Sequence, residues 1–339
     1  MDIQLHSLQK PVEMFRQGFL PVVLASVGIG IKLYRMAWVD PPMGPLIEGY
    51  LKSCTYPTRN PFRSVLCVLE PFFRDFVSND LGKSLLTGTG TCGMVMSTHF
   101  HLTAGQAGAP PLSSSFLTIA STLLGQVLGA GFAGPVLLPL QLALSKSLQP
   151  PRRGAAPPTP PPARYTLAVL GIHFCVFLLS GALTAVPPTT PAWTYVNYAF
   201  TLFPLLFVPL VFFPAPAPHV KEEEAPTLSV TVFKVYKIIY APLWWISVAQ
   251  GLNVYLRTHQ FSLPTYWLAL DLVGMVAAFL GMYAVDFVAG DTAGFGVEKV
   301  ALGLVLAGPA ATMAAYYEAK EREVVDRAAG GGKEKVKDL

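Results

Sequence analysis

The chain has 339 residues, of which 52% are hydrophobic and 13% are charged, and its mean hydropathy is +0.47. Soluble domains carry about 25% charged residues, so this composition excludes an ordinary soluble domain and indicates a polytopic membrane protein. The net charge of +4 is spread over loops and the tail, which argues against a nucleic-acid surface. We therefore expect the lipid bilayer, and no nucleic acid, as a partner.

Long apolar runs follow one another along the chain. A spanning helix needs roughly 20 mostly apolar residues. The sequence predicts an all-α bundle of about eight transmembrane helices, in residues 17–37, 86–106, 114–144, 165–187, 195–214, 234–257, 264–288 and 299–317. Segment 64–78 is too short and too charged to span, and we interpret it as a short interfacial or re-entrant helix. The charged residues before the first run are not typical of a cleavable signal peptide.

Polar and proline-rich stretches divide these runs. They predict one transmembrane domain over residues 1–318, with proline-rich loops at 145–164 and 214–228 and a polar disordered tail at 319–339. The last residues, "KVKDL", resemble a dilysine retrieval signal and favour a cytosolic tail in the endoplasmic reticulum. Lys and Arg residues follow both the first and third runs and also occur in the tail, so the positive-inside rule leaves the orientation open.

The four cysteines, Cys54, Cys67, Cys92 and Cys175, show no CxxC or paired spacing. We interpret them as reduced, small apolar residues.

Carboxylates are scarce, and none occurs between Leu81 and Val220. The run at 264–288 contains two, Asp271 and Asp286, which lie about 22 Å apart along a helix and so cannot form a joint site. Asp271 is the deeper one, and an ionisable group inside the membrane is a functional-site hypothesis. The structural alternative is a cap or hydrogen bond to a neighbouring helix. For Asp286 we expect a solvated anchor at the interface.

Glu70 has two readings. Arg74 follows four residues later, in the favourable order for a helical ion pair, which predicts a structural bridge. Three phenylalanines also surround Glu70 in sequence, and a carboxyl group among aromatic rings is suited to general-acid catalysis.

An aromatic, weakly polar helix is predicted at 235–260. Its Tyr236, Tyr240 and Trp244 recur every four residues and so share a face. The face of an aromatic ring stabilises a nearby cation, and amides can orient a polar group; the alternative is an interfacial aromatic belt. The predicted substrate-binding residues are Tyr240, Trp244, Trp245, Gln250, Asn253 and Gln126.

Motifs for metals and nucleotides are incomplete. "GTGTCG" (88–93) matches GxGxxG, but no acid follows at the required distance. His99 and His101 are two residues apart, so they point in different directions on a helix. The chain has neither the DDxxD motif that holds magnesium on a diphosphate nor the DxDD acid motif. We expect no cofactor and no metal.

Three segments carry a family resemblance: "GQVLGAGFAGPVLLPLQ" (125–141), "APLWWISVAQ" (241–250) and "AGPAATMAAYYEAKEREVV" (307–325). Together they resemble fungal integral-membrane terpene cyclases of meroterpenoid biosynthesis, of the ascofuranone and macrophorin kind, from about residue 64 onward. One departure is the segment "STHFHLTAG" (97–105), where such relatives carry a Glu and Arg pair after the second span.

The resemblance implies a metal-independent isomerase or lyase of secondary metabolism. A membrane-embedded acid would protonate an epoxide or olefin of a hydrophobic, prenylated substrate, and rings would close through a carbocation. We assign the catalytic acid first to Asp271 and second to Glu70, with His99 or His101 as substitutes. The alternatives are a transporter or lipid-binding protein without chemistry, and an enzyme like a sterol isomerase. A transporter is typically built from internal repeats, and the sequence has none.

Overall fold

A computed structural model describes residues 15–40, 43–54, 61–106, 115–148, 159–212, 226–259 and 262–328. These residues form α-helices and no strand, so the all-α prediction is confirmed for the described part of the chain. A π-helical turn, Phe15–Phe19, precedes the first helix, and a 3₁₀ turn, Phe203–Phe207, precedes α9. The helices are α1 (Leu20–Trp38), α2 (Gly44–Lys52), α3 (Pro61–Val77), α4 (Asp80–Ala104), α5 (Ser115–Leu128), α6 (Ala130–Leu148), α7 (Ala163–Ala185), α8 (Pro191–Thr201), α9 (Val208–Val211), α10 (Pro226–Thr258), α11 (Leu263–Val288), α12 (Val297–Leu306) and α13 (Pro309–Ala328).

Four described helical segments are long and apolar enough to cross a membrane: Gln17–Trp38, Ala163–Ala185, Leu228–Thr258 and Leu263–Val288. The pair Pro191–Thr201 and Phe203–Val211 is bent by 52° and makes a fifth if it is one span. The structure thus supports membrane association but gives fewer spans than the eight predicted.

Two of the predicted spans are broken at glycines. Gly129 has φ +94° and separates α5 from α6, and Gly308 has φ +83° and lies between α12 and α13. Side chains disfavour this left-handed backbone, whereas glycine adopts it readily. An apolar run can therefore contain two helices, which average hydropathy does not reveal.

The centre of the bundle is α11, which packs mainly against α6, α4 and α1. At the α6–α11 crossing the backbones touch, because a Cβ on Gly274 would lie 2.1 Å from the Cα of Gly131. Small residues allow such close approach between membrane helices. Helix α10 lies to one side, against α13 and α4.

Two predictions outside the helical core are corrected. Cys54 and Cys67 form a disulfide that joins the end of α2 to α3; their Cα atoms are 5.6 Å apart, within the range for such bonds. Cys92 and Cys175 are free. The predicted tail at 319–339 starts too early, since residues 319–328 continue α13. Most of the two predicted loops (149–158 and 213–225) and the end of the tail (329–339) lie outside the described residues.

Candidate active site

A cavity of about 200 Å³, here called the main cavity, lies among α3 to α8, the 3₁₀ turn and α11. Its wall is dominated by aromatic rings, since its lining includes Phe72, Phe73, Phe76, Phe100, Phe200, Phe203, Phe207 and Trp267. Several rings meet edge to face; the centroids of Phe73 and Phe200 are 5.5 Å apart. Such a wall offers both apolar surface and negative ring faces.

Asp271 is the one carboxylate among the described residues that line the main cavity. It is 7% exposed, and its Oδ1 accepts a hydrogen bond of 2.6 Å from the backbone N–H of Gly131. The nearby backbone N–H of Ala130 also favours a negative charge on it. These amides begin α6, so the carboxyl group of α11 caps the N-terminus of α6.

The glycines around this carboxyl group leave room for it. A Cβ on either Gly129 or Gly131 would come within 3.0 Å of the Asp271 Oδ1. The break between α5 and α6 therefore exposes a helix N-terminus at the point where Asp271 enters the cavity. The first-turn amides and the positive end of the helix dipole stabilise a negative charge there. A carboxyl group in this place can give up a proton and leave a carboxylate that already has hydrogen-bond donors.

Of the three histidines His99, His101 and His173, only His173 lies against the main cavity, as far as the described residues define it. His173 lines the main cavity; its Nδ1 lies 2.8 Å from the carbonyl oxygen of Val169, while its buried Nε2 has no partner among the described residues. His101 pairs through Nδ1 with the Ser115 hydroxyl at 3.2 Å. His99 stacks on the ring of Tyr317 at 3.9 Å. As far as the described residues define the cavity, neither His99 nor His101 lines it.

Glu70 faces away from the main cavity. Its Oε1 is 2.7 Å from the Arg74 guanidinium and accepts a 3.2 Å hydrogen bond from Thr194, while its Oε2 accepts one of 2.9 Å from Tyr198. The predicted ion pair with Arg74 is confirmed. Since α3 directs Leu69, Phe72, Phe73 and Phe76 towards the cavity, the carboxyl group instead joins α3 to α8.

The prediction of a solvated Asp286 is wrong. Its position near the end of α11 is as expected, but its side chain is buried within an ion cluster. Lys146 and Lys320 lie 2.8 and 3.0 Å from its oxygens, and the Tyr316 hydroxyl donates to it at 2.5 Å. Asp291 contacts the same two lysines. Two acids from the α11 end thus balance two lysines, one each from α6 and α13.

Five of the six predicted substrate-binding residues do not line the main cavity; Gln126 does. Trp245, Gln250 and Asn253 are exposed on the outer face of α10, and the indole N–H of Trp245 donates to the Leu306 carbonyl at 2.8 Å. Tyr240 is buried against Tyr236, with ring centroids 5.1 Å apart.

Trp244 packs at the break between α12 and α13. A Cβ on Gly308 would lie 2.2 Å from its Cγ, so the indole packs directly against that glycine. The shared face of Tyr236, Tyr240 and Trp244 therefore supports the packing of α10 on its neighbours, not the cavity.

Sequence reasoning missed the aromatic wall. Trp267 precedes Asp271 by one turn of α11 and lies on the same face, which was a usable signal. Phe72, Phe73 and Phe76 stand beside Glu70 in the sequence, but the sequence does not show that they face a cavity while Glu70 does not. The described residues contain no group of three or more His, Cys, Asp or Glu able to hold a metal ion.

Comparisons with protein-family models, with curated proteins and with solved structures find no match to this chain.

Proposed function

We propose that this protein is a membrane-bound terpene cyclase that acts on a prenylated, meroterpenoid-type substrate. One observation carries the proposal: a buried carboxyl group, Asp271, lines an aromatic-walled cavity in which no other described lining residue is acidic. The sequence resemblance to fungal membrane terpene cyclases points to the same chemistry.

The proposed reaction begins with proton transfer from Asp271 to an epoxide oxygen or an olefin carbon of the substrate. Protonation of an epoxide is followed by cleavage of its C–O bond, and the positive charge develops on carbon. The π-electrons of the next double bond attack that carbon, form a C–C bond and move the cation along the chain. Loss of a proton at the end forms an alkene and restores the acid, so the overall reaction is an isomerisation.

The cavity wall has two tasks in this scheme. Its apolar surface excludes water, which would otherwise trap the cation as an alcohol. Its ring faces stabilise positive charge as it moves. The backbone N–H groups of Gly131 and Ala130 hold the conjugate base of Asp271 in place.

Expression in a host without the pathway, with farnesylated phenols bearing a terminal epoxide, tests the proposal directly. We expect a cyclised isomer of equal mass, identified by chromatography and NMR, in membranes that contain the protein. Recovery of the unchanged epoxide, with the protein present and folded, would contradict it. The parent olefins, supplied in parallel, separate epoxide from olefin protonation.

A lipid-binding protein or transporter without chemistry is the second candidate. The observation that favours it is the capping contact between Asp271 and Gly131, which is a sufficient structural reason for a buried carboxyl group. Binding of the prenylated epoxide without turnover would select this candidate. Migration of a double bond without ring closure would instead indicate an enzyme like a sterol isomerase.

The membrane setting is part of the proposal. A fully inserted bundle would contain the eight crossings that the sequence predicts: the four long helices, the continuous helix α4, and the three bent or broken pairs α5–α6, α8–α9 and α12–α13. We further propose the endoplasmic reticulum as its membrane, on the strength of the dilysine-like end of the sequence.

A further inference from the structure

A second chamber adjoins the main cavity. It has a volume of about 260 Å³ and lies beneath α2 and α3, against α1, α5 and α11. Its lining is mainly apolar and includes Met43, Ile47, Val65 and Val68. Four residues line both spaces, namely Leu69, Phe72, Gln126 and Trp267. The two chambers are therefore separated only by a wall that they share.

Trp267 is the unusual member of this shared wall. Its side chain is buried, yet its indole N–H has no hydrogen-bond partner among the described residues. Phe72 and Trp38 pack edge-on against it, with centroids at 5.1 and 6.1 Å. Its far edge rests on Gly129, where a Cβ would lie 2.8 Å from the ring. A buried donor without an acceptor is costly and calls for an explanation.

We infer that the two chambers form one binding site for an isoprenoid chain that carries an oxygen acceptor, with the Trp267 N–H donating to that oxygen. The apolar parts of the chain occupy the chambers on either side of the shared wall, and the Gln126 amide supplies a second donor beside it. Trp267 and Asp271 are one helical turn apart on the same face of α11, so the bound oxygen lies near the carboxyl group. This inference rests on the proposed function for its substrate class.

Binding can be measured apart from catalysis. Two tritiated probes serve: farnesyl methyl ether, which has one acceptor oxygen and no epoxide, and farnesene, a hydrocarbon of similar length. Their dissociation constants are measured with the protein in phosphatidylcholine nanodiscs, after subtraction of uptake by empty nanodiscs. Because an extra hydrogen bond strengthens binding about 3- to 10-fold, we expect the wild type to prefer the ether by that factor. Equal binding of the two probes would overturn the inference without any variant.

Trp267→Phe removes the N–H donor and keeps an aromatic ring. We expect it to abolish the preference for the ether while farnesene binding changes little. Trp245→Phe is the matched control, since that N–H donates to Leu306 on the outer face of α10; it should keep the preference. If Trp267→Phe is folded and still prefers the ether, the N–H is satisfied by the neighbouring ring faces and the inference is wrong.

The same data separate this inference from the proposed function. Ether preference in a protein that never cyclises an epoxide supports the two-chamber site and ends the cyclase proposal. Cyclisation of the epoxide by a protein that binds the ether and farnesene equally well supports the cyclase proposal and overturns the two-chamber site.

Discussion

At the residue scale, the sequence singled out the carboxyl group that lines the main cavity, Asp271, but not the aromatic rings that form the cavity wall. Asp271 was recognisable because a charge in a long apolar run is costly and needs a reason. Trp245, Gln250 and Asn253 lie away from the main cavity. The sequence did not reveal this, because helical periodicity shows which residues share a face and not which face points inward. In α10, Gln250 and Asn253 lie on the exposed outer face, and Trp245 is half exposed there with its indole N–H bonded to the Leu306 carbonyl.

The ion cluster at the end of α11 gives a prediction about pH. Burial opposes ionisation of Asp291, but the ammonium groups of Lys320 and Lys146 outweigh it and lower the pKa of this carboxyl group to about 2. Because its unfolded pKa is about 3.9, Asp291 contributes stability above pH 4 that is lost as the pH falls towards 2. The thermal midpoint of the wild type in detergent should fall over this window. Asp291→Asn should be less stable at pH 7 and lose less over the same window; an identical loss would contradict the assignment.

At the scale of elements, two breaks between consecutive helices decide where the candidate site forms. The break at Gly129 frees the amides of α6 that hold Asp271, and the break at Gly308 makes room for Trp244. Hydropathy predicted uninterrupted helices in both places, because Gly, Ala and Leu read as a continuous apolar run. The left-handed backbone that ends each helix is a local conformation that average hydropathy cannot report.

The α6–α11 crossing predicts a strong effect from a single methyl group. Gly274→Ala would place a Cβ 2.1 Å from the Gly131 Cα, far inside van der Waals contact, so the helices must separate. We expect a loss of about 1–3 kcal/mol or more in stability, seen as a lower thermal midpoint in detergent. Gly90→Ala is the control, because nothing lies within 4 Å of its Cβ position; it should be neutral or slightly stabilising. Equal effects from both variants would refute the close crossing.

At the scale of the whole molecule, α11 runs from one end of the helical bundle to the other, and the two ends differ in their contacts. Near its start, Trp267 contacts α3 and the Asn79 amide donates to Thr265 at 3.3 Å. Near its finish, Asp286 lies in the ion cluster with Lys320 of α13. Trp267 and Asp286 are about 29 Å apart along the helix, close to the thickness of a hydrocarbon core. The disulfide-linked α2–α3 pair and the last part of α13 therefore lie at opposite ends of the bundle.

The disulfide predicts how many thiols react. After denaturation without reductant, a polyethylene-glycol maleimide should attach to two cysteines, Cys92 and Cys175, because Cys54 and Cys67 are bonded to each other. Reduction before labelling should raise the count to four, which a gel resolves as two further shifts. Four shifts without reductant would restore the original prediction of reduced cysteines.

The same disulfide predicts the orientation in the membrane. Disulfides form in oxidising compartments, so we expect the α2–α3 end on the oxidising side of the membrane and the α13 end on the other side. In the proposed endoplasmic-reticulum membrane these sides are the lumen and the cytosol. Ala328→Cys, at the exposed end of α13, in a Cys175→Ser background should react with a membrane-impermeant maleimide added to sealed microsomes from the cytosolic side. Labelling only after detergent treatment would reverse the orientation.

The most direct test of the account is the turnover of Asp271→Asn with a farnesylated phenol epoxide. The substitution keeps the size of the side chain and removes the transferable proton, and loss of a positioned general acid lowers a rate by about 10²–10⁴-fold. Glu70→Gln is the matched control, because Glu70 contacts Arg74 and α8 outside the main cavity; it should turn over near the wild-type rate. We predict that Asp271→Asn inserts and binds farnesene as the wild type does but forms at most about one hundredth of the cyclised product in the same time. A folded Asp271→Asn protein that cyclises at the wild-type rate, or a Glu70→Gln protein that alone is inactive, would contradict the assignment of Asp271 as the acid.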